Sequence, residues 1–450
     1  MPPFKASFFV RRCPNFLNSI YNFLLIYYIK FKAVRVITRK GLFRIKALWV
    51  CIFAFACSTL SAPSLAGRLE AEAGLEGRYF FDEGLFGQSQ ENLSVRLQPE
   101  YDHSFENSDD SIELVLFGRW DQNDSERTHG DIREASWTHV GDGWETKVGM
   151  SKVFWGVTES QHLVDIINQT DLVENSDGED KLGQGMVSFS TEQDWGTVDL
   201  FVLPFHRART FPGKDGRFRT PIVIDGENAQ YTSGAGENRI DGAIRYSHYL
   251  GDLEFGLSHF SGTSRDPLLV FNGNVIDPKL IPVYTVIDQT GLDAQYIYDS
   301  WLLKLEGYSR SGYGDRYSTA VTGFEYTQVG VLDSNSDIGW VAEYLFDDRG
   351  ESADTFLEQD LFLGVRWTLN DENSTDSLLG MFWDPESEEK IISVEASRRI
   401  GQDWTLSLEG RAFVGGEHYN FNPGTPLTSL VIPYPNSKTY FFRDDDFIQL

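Results

Sequence analysis

From Arg68 to the last residues of this 450-residue chain, apolar and polar residues alternate in segments of about ten, a period that admits little besides β-structure. In Arg68–Phe80 the apolar or small set is Leu69, Ala71, Ala73, Leu75, Gly77 and Tyr79, while Glu70, Glu72, Glu76 and Arg78 take the other face. Elsewhere Ile240, Gly242, Ile244 and Tyr246 oppose Arg239, Asp241 and Arg245; Trp301, Leu303 and Leu305 oppose Lys304 and Glu306; Trp404, Leu406 and Leu408 oppose Glu409 and Arg411. A strand of ~9–11 residues with one apolar face is long enough to cross a bilayer. No long helical period appears, and no apolar run long enough for a membrane helix follows Ala66.

The connections alternate as well. Short turns at 141–143, 194–196, 251–252, 299–300 and 401–403 are interleaved with longer polar stretches near 82–91, 122–130, 158–185, 208–238, 264–288, 311–317, 348–356, 384–388 and 415–439. This pattern predicts an all-β fold, a transmembrane antiparallel β-barrel of about 18 strands (16 to 18) with short periplasmic turns and long extracellular loops. Trp144, Trp195, Trp301 and Trp404 at the short turns, with Trp120, Trp155, Phe260, Phe346 and Trp383 at the long loops, predict two aromatic girdles.

Charge divides the chain at residue 66. The first 66 residues hold ten basic residues, no acidic one, and all three cysteines, Cys13, Cys51 and Cys57. There the apolar core Ala47–Ala56, followed by Ser64-Leu65-Ala66, reads as a secretory signal peptide removed after Ala66, with residues 1–40 explained by a misassigned translation start. Residues 67–450 are expected to form a single barrel. They carry 29 basic against 67 acidic groups and no cysteine. That composition excludes a disulfide scaffold and a thiol nucleophile, and it disfavours nucleic acid, whose phosphates need a basic surface.

Lys147–Gly156 (KVGMSKVFWG), ending in Trp155-Gly156, is followed by Asp165-Ile166-Ile167-Asn168-Gln169-Thr170-Asp171. This stretch resembles the centre of a little-characterised group of Gram-negative outer-membrane barrels of the porin type. The general likeness extends over 67–450, the specific one over Trp144 to Thr220. It implies a solute channel, monomeric or homotrimeric, surrounded by outer-membrane lipid and lipopolysaccharide. It also implies a third loop that folds into the lumen and narrows it. In such barrels the assembly machinery reads a terminal aromatic residue, whereas this chain ends Asp446-Phe447-Ile448-Gln449-Leu450. Either the last strand is cut short or Tyr440–Leu450 closes the barrel.

Three residue sets are candidates for function. The third loop, 158–185, offers Glu159, Asp165, Asn168, Asp171 and Glu174 as a constriction; its acidic run lacks the spacing of a calcium loop, so no metal is expected. Alternation points Arg96, Arg119, Lys147, Arg245, Lys304, Arg366, Arg399 and Arg411 into the lumen, opposite the loop's Asp165 and Asp171. The fourth loop carries Arg207, Arg209, Lys214, Arg217 and Arg219, suited to guiding solutes, gripping lipopolysaccharide phosphates or pairing with acidic loops. No cofactor motif or enzyme constellation is visible. The expected function is passive diffusion of small polar solutes or ions. The alternatives are a channel selective for an organic acid or apolar compound, a plugged structural barrel, or a barrel hydrolase.

Overall fold

The computed structural model describes residues 67–353, 358–415, 439 and 442–450, with the backbone of Phe9–Val10. The rest of the expected signal peptide and most of the ninth long loop lie outside the described residues. Eighteen strands form the wall: β1 (Arg68–Phe80), β2 (Glu91–Ser104), β3 (Asp110–Asp121), β4 (Gly130–Gly141), β5 (Trp144–Ser151) and β6 (Gln184–Gln193) come first. They continue as β7 (Gly196–Leu203), β8 (Asp241–Leu250), β9 (Leu253–Thr263), β10 (Val286–Tyr298), β11 (Trp301–Ser311) and β12 (Tyr317–Gln328). The last are β13 (Asp337–Asp347), β14 (Leu361–Thr368), β15 (Asp376–Trp383), β16 (Lys390–Ile400), β17 (Trp404–Val414) and β18 (Phe447–Gln449).

Each strand pairs antiparallel with its sequence neighbours, and β18 pairs with both β17 and β1, closing an antiparallel barrel. Closure removes free sheet edges along most of the wall, as a surface facing hydrocarbon requires. The closing strand is short: its three residues meet Arg78–Phe80 on one side and Glu409–Arg411 on the other. Lower on β1, the backbone of Phe9–Val10 pairs with Ala71 and Glu72.

The side-chain period of two sorts the wall into faces. Leu69, Leu75, Ile244, Leu303, Leu363, Leu379 and Leu406 are exposed on the outer surface. Trp144, Trp195, Trp301 and Trp404 are exposed at the rim bearing the short turns, and Phe346 is exposed near the other. An apolar band between aromatic rims is a surface matched to a bilayer.

Three expectations are corrected. Trp155 and Phe260 belong to no girdle; they are 5% and 1% exposed and lie in an inner apolar cluster. The strand expected to continue to residue 157 ends at Ser151, because the Asn168 amide takes over the backbone there: it donates to Ser151 O and accepts from Val153 N, both at 2.8 Å. The loops expected at 208–238 and 264–288 contain a small sheet outside the barrel. In it Leu268–Phe271 runs antiparallel to Leu280–Tyr284, which pairs in parallel with Gln230–Tyr231. Ile222 and Leu280, with Ile224, Leu269 and Phe271, form its own apolar core.

The face assignment is testable by stability. Leu303→Arg places a charge in the apolar band and is expected to destabilise the refolded barrel by about 2–4 kcal/mol, whereas Ser397→Arg, on the inner face of β16, costs much less. Reversible urea unfolding in lipid vesicles measures both; equal losses contradict the assignment.

Candidate functional site

Residues 152–183 connect β5 to β6 and turn inward across the lumen. The near wall receives them on inward-facing apolar side chains: Met186, Phe201, Leu203, Phe260 and Ile287 pack with Trp155, Val164, Ile166 and Ile167 of the loop. Val164 and Ile167 are wholly buried. On the opposite side Leu163 packs against a second inward patch of Val321, Val341, Leu345, Phe362 and Phe382. Burying apolar area at both ends drives the loop into the lumen.

Two wall carboxylates fix it there. Glu306 of β11, fully buried, accepts hydrogen bonds from Val157 N (2.6 Å), Thr158 N (2.9 Å), Thr158 Oγ1 (2.8 Å) and Val164 N (3.3 Å). Glu343 of β13, 1% exposed, accepts from Glu159 N and Ser160 N at 2.8 Å each and from Ser160 Oγ. A buried carboxylate is tolerable only when paired or hydrogen-bonded, and these loop amides supply the donors. His162 completes the grip, with Nε2 3.2 Å from Glu179, Nδ1 3.9 Å from Glu306, and its ring edge-on to Phe154. Burial alone lowers its affinity for a proton, but the two carboxylates outweigh that and push its pKa up to about 10.

The candidate constriction residues do different things. Glu159 lies on the open edge of the loop, its carboxylate 2.6 Å from Arg366. Asn168 is 1% exposed and fastens the loop's two ends, donating also to Leu182 O. Asp171 is fully buried, bonded by Arg133 (2.6 Å), Thr210 Oγ1 (2.7 Å) and His129 (3.2 Å). Burial raises its pKa, but His129 and Arg133 hold it well below the usual carboxylate range. Glu174 takes a two-pronged guanidinium contact from Arg119. Asp165 is covered by the loop, 3.2 Å from Lys181, and burial pushes its pKa up. Neither Asp165 nor Asp171 reaches the open lumen, so the expected opposition of these two carboxylates to the wall arginines does not occur.

His129, Asp171 and Glu174 bring three ligand atoms within 4.8 Å of one another. Arg133 and Arg119 already occupy the two carboxylates, so the set does not suit a cation.

The open lumen beside the loop is a cavity of about 1390 Å³. Arg96, Arg119, Arg245, Lys304, Arg366 and Arg411 line it, while Lys147 and Arg399 do not. All six are paired: Arg96 with Glu72 (2.6 Å), Arg119 with Glu76 (2.9 Å), and Arg245 with Asp293 through two contacts (2.6 and 2.7 Å). Lys304 lies 3.6 Å from Glu325, Arg366 bridges Glu159 and Glu325, and Arg411 reaches Asp177 (3.3 Å) and Glu409 (3.7 Å). Away from the cavity, Lys147 is 3.8 Å from Glu113 and Arg399 donates to Glu372 O. Thirteen Asp and Glu residues line the cavity against seven Arg and Lys and the protonated His162, leaving five surplus carboxylates.

The fourth-loop basic residues do not gather into one patch. Arg207 pairs with Asp131 (2.7 Å), Arg209 with Asp266 (2.6 Å), and Arg217 with Asp445. Arg219 lies over the Phe86 ring at 4.0 Å, and Lys214 is exposed. The structure adds Glu343 and His162 as anchors of the loop, which no local motif marks; alternation already sets Glu306, Glu395 and Glu409 on the lumen face, and Asp177 and Glu179 belong to the acidic run of the third loop. The one available clue is the run of apolar residues at inward positions of β6, β7, β9 and β10, which a wet lumen leaves unexplained.

No protein-family model matches the chain, and no curated protein matches it. Among solved structures the chain is similar to a triple mutant of the porin of Rhodopseudomonas blastica, at 12% identity over 77% of this chain and 94% of that one, with a TM-score of 0.37. It is likewise similar to a structure described under asymmetric conductivity of engineered proteins, with 12% identity, the same coverages and a TM-score of 0.38. The barrel assignment rests on strand register, not on this likeness.

Two outcomes test the grip on the loop. Val164→Cys, in a barrel with no other cysteine, is expected to resist a membrane-impermeant maleimide. Adding Glu306→Ala and Glu343→Ala should speed labelling tenfold or more, since hydrogen bonds to a charged acceptor contribute about 1.5–3 kcal/mol each. The second outcome concerns pH. The folded pKa of His162 lies above its ordinary 6.5, so its stabilising charge is fully present below that value and lost as pH rises through about 10. The difference in Tm between wild type and His162→Gln should therefore shrink across that interval.

Proposed function

We propose that the chain forms a water-filled channel across the outer membrane, passing small polar solutes and favouring cations over anions. The observation that carries this reading is the cavity left beside the inwardly folded loop, with its surplus of five carboxylates over cationic side chains. Within a narrow aperture between low-dielectric walls, such a surplus sets the sign of the local potential and so the preferred ion. In this reading Glu159, with Asp177 and Glu179, forms the loop side of the constriction. The paired arginines stiffen the opposite wall. The apolar band meets outer-membrane lipid and lipopolysaccharide, and residues 1–66 serve as an export address. Passage of an organic acid is disfavoured by the same negative lining.

Planar-bilayer recording tests the reading. Steady ohmic steps are expected, with a reversal potential in a KCl gradient displaced toward potassium. Asp177→Asn with Glu179→Gln should move that potential toward zero. Absence of conductance by folded protein overturns the channel in favour of a plugged barrel, and anion preference overturns the charge argument.

A further inference from the structure

The lumen wall formed by β14–β17 differs from the rest. Strand register sets Phe362, Phe382, Ile391 and Phe413 side by side in one row. Below them stand Gly364, Gly380, Ser393 and Arg411, and below those Arg366, Leu378, Glu395 and Glu409. Phe362 lies over Gly364 and Gly380, where a Cβ would come within 3.2 and 2.8 Å of its ring. Leu378, Phe382 and Ile391 are partly exposed and line the cavity, with no segment of the third loop covering Leu378 or Ile391 in a buried cluster. A wall that meets only water gains nothing from such residues, because exposing apolar surface is unfavourable in proportion to its area.

The carboxylates of the lowest row are also unlike the others. Glu395 and Glu409 stand directly opposite one another on adjacent strands, an unfavourable placement for like charges. Asn175 Nδ2 donates to both oxygens of Glu409 at 3.2 Å, and Arg411 lies 3.7 Å from it. Glu395 has no hydrogen bond or ion pair among the described residues, unlike the loop-gripping glutamates and the partners of the lumen arginines. Its cross-strand neighbour on the other side is Leu378. An uncommitted carboxylate beside an uncovered apolar side chain thus faces the passage.

We propose that this wall selects small organic cations with an apolar body: Glu395, with Glu409 beside it, takes an ammonium head, and Leu378 takes the hydrocarbon, with Phe382 and Ile391 lining the approach. The inference rests on the channel reading and names its preferred solute. Ammonium suits the site because it donates several hydrogen bonds to carboxylate oxygens. A hard divalent ion needs six or more oxygen ligands, which a carboxylate pair flanked by leucine does not offer.

Block of potassium current across planar bilayers, with methylammonium and benzylammonium as probes, tests it. In the wild-type protein benzylammonium should block at a lower concentration than methylammonium. Glu395→Gln should raise the half-blocking concentration of both roughly tenfold, the change expected for losing one such contact. Leu378→Thr should raise that of benzylammonium alone. Each variant is read against its own potassium conductance after folding is verified by heat-modifiable gel mobility, and Leu378→Thr decides alone if Glu395→Gln does not fold. Equal block by the two amines in wild type, or block unaltered by both substitutions, overturns the inference while leaving the channel intact. Wild-type protein that conducts no potassium overturns the channel reading itself.

Discussion

The interior of this barrel is organised by two glutamates whose buried charge is stabilised by backbone amides. Glu306 and Glu343 sit on strands β11 and β13, and each would be costly in a buried wall without donors. The loop at 152–183 brings those donors, and in exchange its own N–H groups find acceptors away from water. Everything else in the lumen depends on where this exchange fixes the loop: the apolar contacts of Val164 and Leu163, the pairing of Glu159 with Arg366, and the shape of the space left over.

The ionic groups inside are for the most part committed to one another. Arginines project inward from β2, β3, β8, β14 and β17, yet each meets a carboxylate within 4 Å, and Asp171 and Glu174 are spoken for by Arg133 and Arg119. Such pairs hold loop to wall without producing a net field. In the channel proposed above, what acts on a passing ion is the remainder, which is negative. The arrangement separates two tasks that a simple charge count of the chain would merge, since structural pairs and selecting groups share one surface.

Strands were legible because each presents one face to hydrocarbon and the other to a polar interior, so that Leu303 and Lys304, or Leu406 and Ser407, differ in kind. The number of wall strands and their approximate bounds follow from that contrast and from the alternation of short and long connections. Inward-facing apolar residues break the contrast. Phe260 and Trp155 look like rim aromatics in the sequence and are instead covered by the third loop. The anchoring role of the two glutamates carries no local mark, because the amides they receive lie 142 to 184 residues earlier in the chain. The small sheet of Leu268–Phe271 and Leu280–Tyr284 is hidden for a different reason: its strands are apolar runs of four and five residues, too short to show alternation, within long connections.

That sequence separation also bears on how the molecule is built. The loop leaves β5 and returns to β6, but its far anchors belong to β11 and β13, which are made later in the chain. Contacts of such long range form slowly because the intervening segment must first be ordered. The loop tip therefore has its acceptors only once β11 and β13 stand in the wall, and its docking depends on that part of the barrel. A barrel in which those two strands are out of place consequently lacks the constriction, so narrowing of the lumen reports on long-range closure of the wall rather than on the loop alone.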